Sequence, residues 1–180
     1  SVAINYRNKA ARAEKLVADI EASGGSAIAI GADLTDPVGV TRMISQIKDT
    51  WGGLDILVLN ASGGMEADMG EDYAMKLNRD AQVGLLMAAL SIMERGSRVV
   101  FVTSHQAHFI REVETMPEYL PVALSKRAGE DALRGMIDAM SAQGVDFVVV
   151  SGDLIEGTVT ATLLNRANPG VIDQRKENVG

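Results

Sequence analysis

The side chains able to carry proton-transfer or ligand chemistry are few, and most sit at the ends of apolar segments. Ser104 closes the run RVVFVTS, and Lys126 follows Ser125 in PVALSKRAGE, which reads as a helix. Tyr119 stands seven residues before that lysine. In one continuous helix the two would lie about 10 Å apart along the axis, too far for phenol and ammonium to meet. Pro121 suits the first turn of a helix and biases Leu120 toward an extended conformation. Tyr119 is therefore expected in a loop ahead of the helix, able to fold back toward Ser104. His105 and His108 occupy the same loop; imidazoles as a class titrate near neutral pH, so these two are either alternative acids or solvated rings. Asn78 falls in mid-helix, where asparagine is disfavoured without a role. Asn60, Ala61 and Ser62 follow the apolar run LDILVL, and small residues there let a ligand approach the backbone, although such residues also make an ordinary turn. Arg7 follows a short apolar strand. Its guanidinium either takes a phosphate through paired hydrogen bonds or is a solvated charge.

Composition narrows the chemistry. The 180 residues contain no cysteine, which excludes thiolate nucleophiles, disulfides and Cys-ligated metals. A net charge of −7 argues against general affinity for nucleic acid or anionic membranes, which reward clustered Lys and Arg. No apolar run approaches the ~20 residues of a membrane span. The cytoplasm is the expected location.

The elements that must position these residues alternate. Strands are expected over 2–5, 27–32, 54–59, 98–103 and 146–150. Helices are expected over 8–22, from Asp36-Pro37 to Trp51, from about Glu71 to Glu94, over 121–142 and over 158–166. Asp36 is the expected N-cap of the second helix, with Pro37 at its first position. The unbroken apolar run LDILVL is what a parallel sheet covered on both faces requires. Strands separated by helices in this order give a doubly wound parallel sheet in three α/β/α layers.

Segment order and content resemble the short-chain dehydrogenase/reductase family from its second strand onward, and especially its 3-oxoacyl thioester reductases. The likeness rests on NYR at 5–7, ADLTD at 32–36, LNASGG at 59–64, VTS at 102–104 and SK at 125–126. It implies a single dinucleotide-binding oxidoreductase domain over residues 1–180, with a Rossmann-like fold incomplete at both ends. The family's first strand and its GxxxGxG turn, which sets a pyrophosphate on a helix N-terminus, are absent from the sequence. That strand should lie between this chain's first and third strands, so the chain is expected to be an excerpt of a longer one.

The resemblance also implies roles. Ser104 would hold the substrate oxygen. Lys126 would hold the nicotinamide ribose and lower the pKa of a neighbouring phenol, and Asn78 would anchor a water in the proton relay. The family's tyrosine position is Val122, so Tyr119 is the candidate acid. Arg7, Asp33, Leu34, Asn60, Ala61, Ser62, Gly152, Ile155 and Thr158 would join Lys126 in binding the cofactor. Arg7 favours NADP(H), with NAD(H) as the alternative, because an acidic residue at that point would select NAD. The implied reaction interconverts a ketone and a secondary alcohol. The competing reading is a nucleotide-binding sensor or partner protein without turnover. A methyltransferase-like fold leaves Ser104 and SK unexplained. The substrate is a small molecule walled by Met65, Met69, Phe109, Ile110 and Met116. No nucleic-acid or membrane partner is expected. A homodimer or homotetramer is, through the helices of Asn78 and Lys126, where Ala88, Ala89, Ala128, Ala132 and Met136 would suit close packing.

Overall fold

The computed structural model describes residues 1–65, 72–153, 155, 159–170 and 173. Strand β1 (Val2–Tyr6) leads through α1 (Ala10–Ala22) to β2 (Ala27–Gly31), which pairs parallel to it from Val2↔Ala27 to Tyr6↔Gly31. Helix α2 (Pro37–Trp51) then crosses to β3 (Ile56–Leu59). The Asp36 carboxylate accepts from the amides of Val38 and Gly39 at 3.0 and 3.1 Å, the capping role expected of it. After β3 come α3 (Tyr73–Met75), a π turn (Lys76–Asp80) and α4 (Ala81–Leu90) as one winding path, followed by β4 (Arg98–Ser104). Short α5 (His105–His108) and a 3-10 turn (Pro117–Tyr119) precede α6 (Leu120–Arg134). Helix α7 (Ile137–Gln143), β5 (Asp146–Gly152) and α8 (Val159–Ala167) complete the order.

The parallel ladders fall into two sets, β1–β2 and β3–β4–β5. No described ladder joins β1 to β3. The two sets share one core: Ile30 from β2, Leu57 and Leu59 from β3, and Val99 and Phe101 from β4 pack with Val40, Ile44 and Ile47 of α2 and Leu86 and Ala89 of α4. Two-sided burial of LDILVL does not hold. Leu57 and Leu59 point into the core, whereas Ile56 and Val58 are 59% and 54% exposed. Val148 and Val150 of β5 are exposed as well.

Helix boundaries differ from expectation for local reasons. The long helix stops at Leu90 rather than Glu94, because the Ser91 and Ile92 amides turn back to the Ala88 and Ala89 carbonyls in a tightened last turn. The helix expected over 121–142 is two helices, broken at Gly135–Met136. Leu120 is helical, with φ −53° and ψ −46°, not extended. Helix α6 thus begins one residue before Pro121, whose ring is tolerated in the first turn where no backbone donor is needed.

Helix α6 crosses the π turn at backbone contact. A Cβ placed on Gly129 would stand 2.1 Å from the Asn78 carbonyl oxygen and 3.1 Å from its carbon, both immobile backbone. Gly129→Ala is therefore expected to cost at least about 2 kcal/mol, since backbone must move to admit the methyl. Denaturant unfolding with an unchanged midpoint would show that the two segments do not touch.

Candidate active site

The phenol of Tyr119 donates to Ser104 Oγ at 3.2 Å. The 3-10 turn over Pro117–Tyr119 delivers it, with the Tyr119 amide bonded to the Met116 carbonyl. Ser104 stands at the last position of β4, and its Oγ also accepts from the Ala107 amide at 3.3 Å. Both contacts use lone pairs, so the serine's own proton stays available to an incoming oxygen. Tyr119 is only 4% exposed, packed with Ala107, Val122, Ala123 and Leu164. Met65, Ile110 and Met116 border the same cluster, which brings three of the expected substrate-wall residues together. Phe109 lies apart, edge-on to His105 and His108. Met69 is outside the described residues.

Lys126 belongs to a second group. Its Nζ donates to Ser62 Oγ at 3.2 Å, and burial holds the ammonium below the ordinary lysine pKa. The expected influence on the phenol is not what the geometry gives. Burial drives the Tyr119 phenol above its ordinary value, and only the hydrogen bond with Ser104 works the other way. The family's tyrosine position, Val122, is an interior residue at 3% exposure.

Asn78 is 2% exposed and sits in the π turn. Its Nδ2 donates to the Gly63 carbonyl at 2.9 Å and to Ser125 Oγ at 2.8 Å, while its Oδ1 accepts from the Gly63 amide at 3.2 Å. Ser125 in turn donates to the Val122 carbonyl at 2.8 Å. The SK pair therefore faces one loop, residues 61–63, with serine behind it through Asn78 and lysine directly on it. Gly64 closes that loop at φ +113°, with an added Cβ only 2.5 Å from that of Ala74.

At the expected nucleotide end, Arg7 reaches the Tyr73 hydroxyl and lies 5.6 Å from the centroid of that ring. It lines a cleft of about 430 Å3 with Asp33, Asp36 and Arg42. Asp33 Oδ1 takes the Thr35 amide and hydroxyl, both at 2.8 Å. The Thr35 amide is the main reason that its carboxyl stays below the ordinary value. Leu34 lines a neighbouring cleft of about 610 Å3 between α2 and α4. Asn60 and Ser62 are exposed, and Ala61 half-buried. Gly152 ends β5 with open space where a side chain would be, and Ile155 is 69% exposed. Thr158 lies outside the described residues.

Two contributors escaped the sequence. Gln82, 1% exposed, donates to the Ala61 carbonyl at 2.7 Å; its spacing of four from Asn78 was the available signal. Glu130, fully buried, is bound by His108 Nδ1 and Arg134 Nε, each at 2.8 Å. His108 is thus a tie between α5 and α6 rather than a solvated ring. Tyr119 provides a direct test of its surroundings. The phenolate absorbance lost in Tyr119→Phe should belong to a group titrating above about 10. Its neutral form then contributes stability that is complete below that unfolded value and lost as pH rises through the folded one. Titration at or below the ordinary value would contradict the burial seen here.

Relatives share this arrangement of elements. A family model for short chain dehydrogenase matches residues 1–168. The 1-cyclohexenylcarbonyl-CoA reductase of Streptomyces collinus is 30% identical over 164 residues, covering 87% of this chain and 56% of that protein. The short chain dehydrogenase/reductase AacuN of Aspergillus aculeatus is 34% identical over 114 residues, 60% of this chain and 43% of its own. A short chain dehydrogenase from Burkholderia cenocepacia, solved in complex with NADP, superposes with a TM-score of 0.75 at 29% identity over 92% of this chain and 71% of its own. The chain spans about half the length of the two curated relatives. The match across 1–168, joined to the parallel α/β order just described, places the chain in the short-chain dehydrogenase/reductase family.

Proposed function

We propose that the intact protein is an NADP(H)-dependent oxidoreductase that interconverts a ketone, including a 3-oxoacyl thioester, and a secondary alcohol. The observation that carries the proposal is the 3.2 Å hydrogen bond from Tyr119 to Ser104 at the C-terminal end of β4. It supplies a proton donor although Val122 fills the family position.

The residues present fit a nicotinamide dinucleotide at its two ends. Arg7 and Asp33 share a polar cleft suited to the adenosine side, with Arg7 meeting a 2′-phosphate. Loop 60–62 offers backbone to the ribose, and open space at Gly152 admits the nicotinamide side. The bound nicotinamide supplies or accepts the hydride. Ser104 donates its proton to the carbonyl oxygen as negative charge develops there, and Tyr119 replaces that proton through the existing hydrogen bond. Lys126 contributes a partly desolvated positive charge beside the loop that meets the ribose, where its field is weakly screened. Because burial raises the phenol's pKa, loss of this donor should not limit reduction from neutral pH up to the ordinary phenol range.

One observation favours the second reading, a nucleotide-binding sensor or partner protein: Lys126 engages Ser62, while Tyr119 engages Ser104. Fluorescence titration of the intact protein with NADPH, followed by oxidation assays on ketones and 3-oxoacyl thioesters, separates the two. Turnover is expected, and Tyr119→Phe should lower kcat by about 100-fold. Binding without turnover on any substrate, and no effect of the substitution, would select the sensor. Arg7→Asp should remove the preference for NADPH over NADH; an unchanged preference removes Arg7 from the site.

Self-association through α4 and α6 is part of the proposal, supported by Met87 and Leu124 at 63% and 50% exposure. Ala89 belongs to the interior instead, at 0%. No helix among the described residues is long and apolar enough to cross a membrane, which is consistent with the cytoplasmic placement we favour.

A further inference from the structure

Gln82 is an interior side chain whose hydrogen bonding makes little sense as stabilisation. It lies in α4 at 1% exposure, four residues after Asn78. Its Nε2 donates to the Ala61 carbonyl at 2.7 Å and approaches the Leu77 carbonyl at 3.4 Å. Both partners are acceptors, so turning the amide over would set oxygen against two carbonyls, and the orientation is fixed. Among the described residues, its buried Oε1 has no donor. An unmet buried acceptor is unfavourable, and an apolar chain of the same size would avoid it.

What the amide does achieve is control of one loop. Asn78 holds both backbone groups of Gly63 from the π turn, and Gln82 holds the Ala61 carbonyl from one turn further along. Residues 61–63 are therefore pinned at both ends by a single helical path, with Ser62 between them facing Lys126. The path itself is fixed against α6 where Gly129 meets the Asn78 carbonyl. A loop held this way presents its backbone at one height, so a ligand resting on it binds without first ordering it.

We propose that Gln82 is a positioning residue for the nucleotide: by fixing the Ala61 carbonyl it presets loop 61–63 for the cofactor ribose. The inference rests on the cofactor reading above. Its effect should appear in binding, not in the chemical step, because Gln82 touches neither Ser104 nor Tyr119 through any described hydrogen bond.

The test uses Gln82→Met in the intact protein, which keeps length and removes both the donor and the unmet acceptor. NADPH affinity by fluorescence should weaken about tenfold, the scale of one ordering hydrogen bond. The kcat at saturating NADPH should hold, thermal stability should be equal or higher, and amide exchange at Ser62 and Gly63 should quicken. Gln82→Asn, a shorter amide that cannot span to Ala61, should weaken binding in the same way and serves if the Met variant does not fold. Unchanged affinity in a folded variant, with wild type binding NADPH normally, overturns the positioning role and leaves the cofactor reading intact. A wild type that binds neither NADPH nor NADH removes the cofactor reading, and this inference with it.

Discussion

The contact on which this arrangement turns is between two backbones. Helix α6 and the π turn come so close at Gly129 and the Asn78 carbonyl that no side chain fits between them. This approach brings Ser125 within hydrogen-bond reach of Asn78, and so ties the helix of Lys126 to the loop at residues 61–63. Remove that closeness and three pieces of the site lose their common reference. The buried polar groups gathered there, Asn78, Ser125 and Gln82, are tolerable in an interior only because their donors find carbonyls or hydroxyls at good distance. Among the described residues, the Gln82 oxygen marks where that accounting fails to close.

From that frame the site divides. One half is Lys126, Ser62 and the clamped loop; the other is Ser104 with Tyr119. In the usual family arrangement phenol and ammonium share a face of one helix, four residues apart. Here Val122 takes that place and the phenol arrives from the 3-10 turn ahead of the helix. The electrostatic result differs in kind: burial is the main influence on the phenol, and it favours the neutral form. A tyrosine so placed is suited to giving up a proton only when another group accepts it at once, and in the function proposed above Ser104 would be that group.

Much of this was legible in the residues. Alternating apolar runs gave the order of strands and helices, and Asp36-Pro37 gave the start of α2. Tyr119 folding back toward Ser104 was expected, but on a ground that fails: Pro121 does not make Leu120 extended, Leu120 is helical, and a 3-10 turn does the folding back. What could not be read were consequences of contact across the fold. Nothing in the sequence singled out Gln82 or Glu130, and His108 stood as either an alternative acid or a solvated ring. Their roles depend on carbonyls and charges 19 or more residues away in sequence. The exposed faces of β3 and β5 were equally hidden, because an apolar strand sequence says that cover suits it and not that cover is present.

The π turn over Lys76–Asp80 has an implication for how this helix can vary. A π turn accommodates one more residue than an α turn in the same stretch of helix. Everything downstream, including Gln82, Leu85, Leu86 and Ala89, faces the interior because that extra residue is counted in. Wound as a regular α-helix with the same residues, the segment would turn the rest of α4 by about 100° relative to the sheet. Exposed Gly84 and Met87 would swing toward the core, and the residues that now fill it would swing out. The extra residue and the π turn therefore go together: deleting one residue from 76–80 would remove the need for the π turn and leave Gln82, Leu85, Leu86 and Ala89 on the face they occupy now.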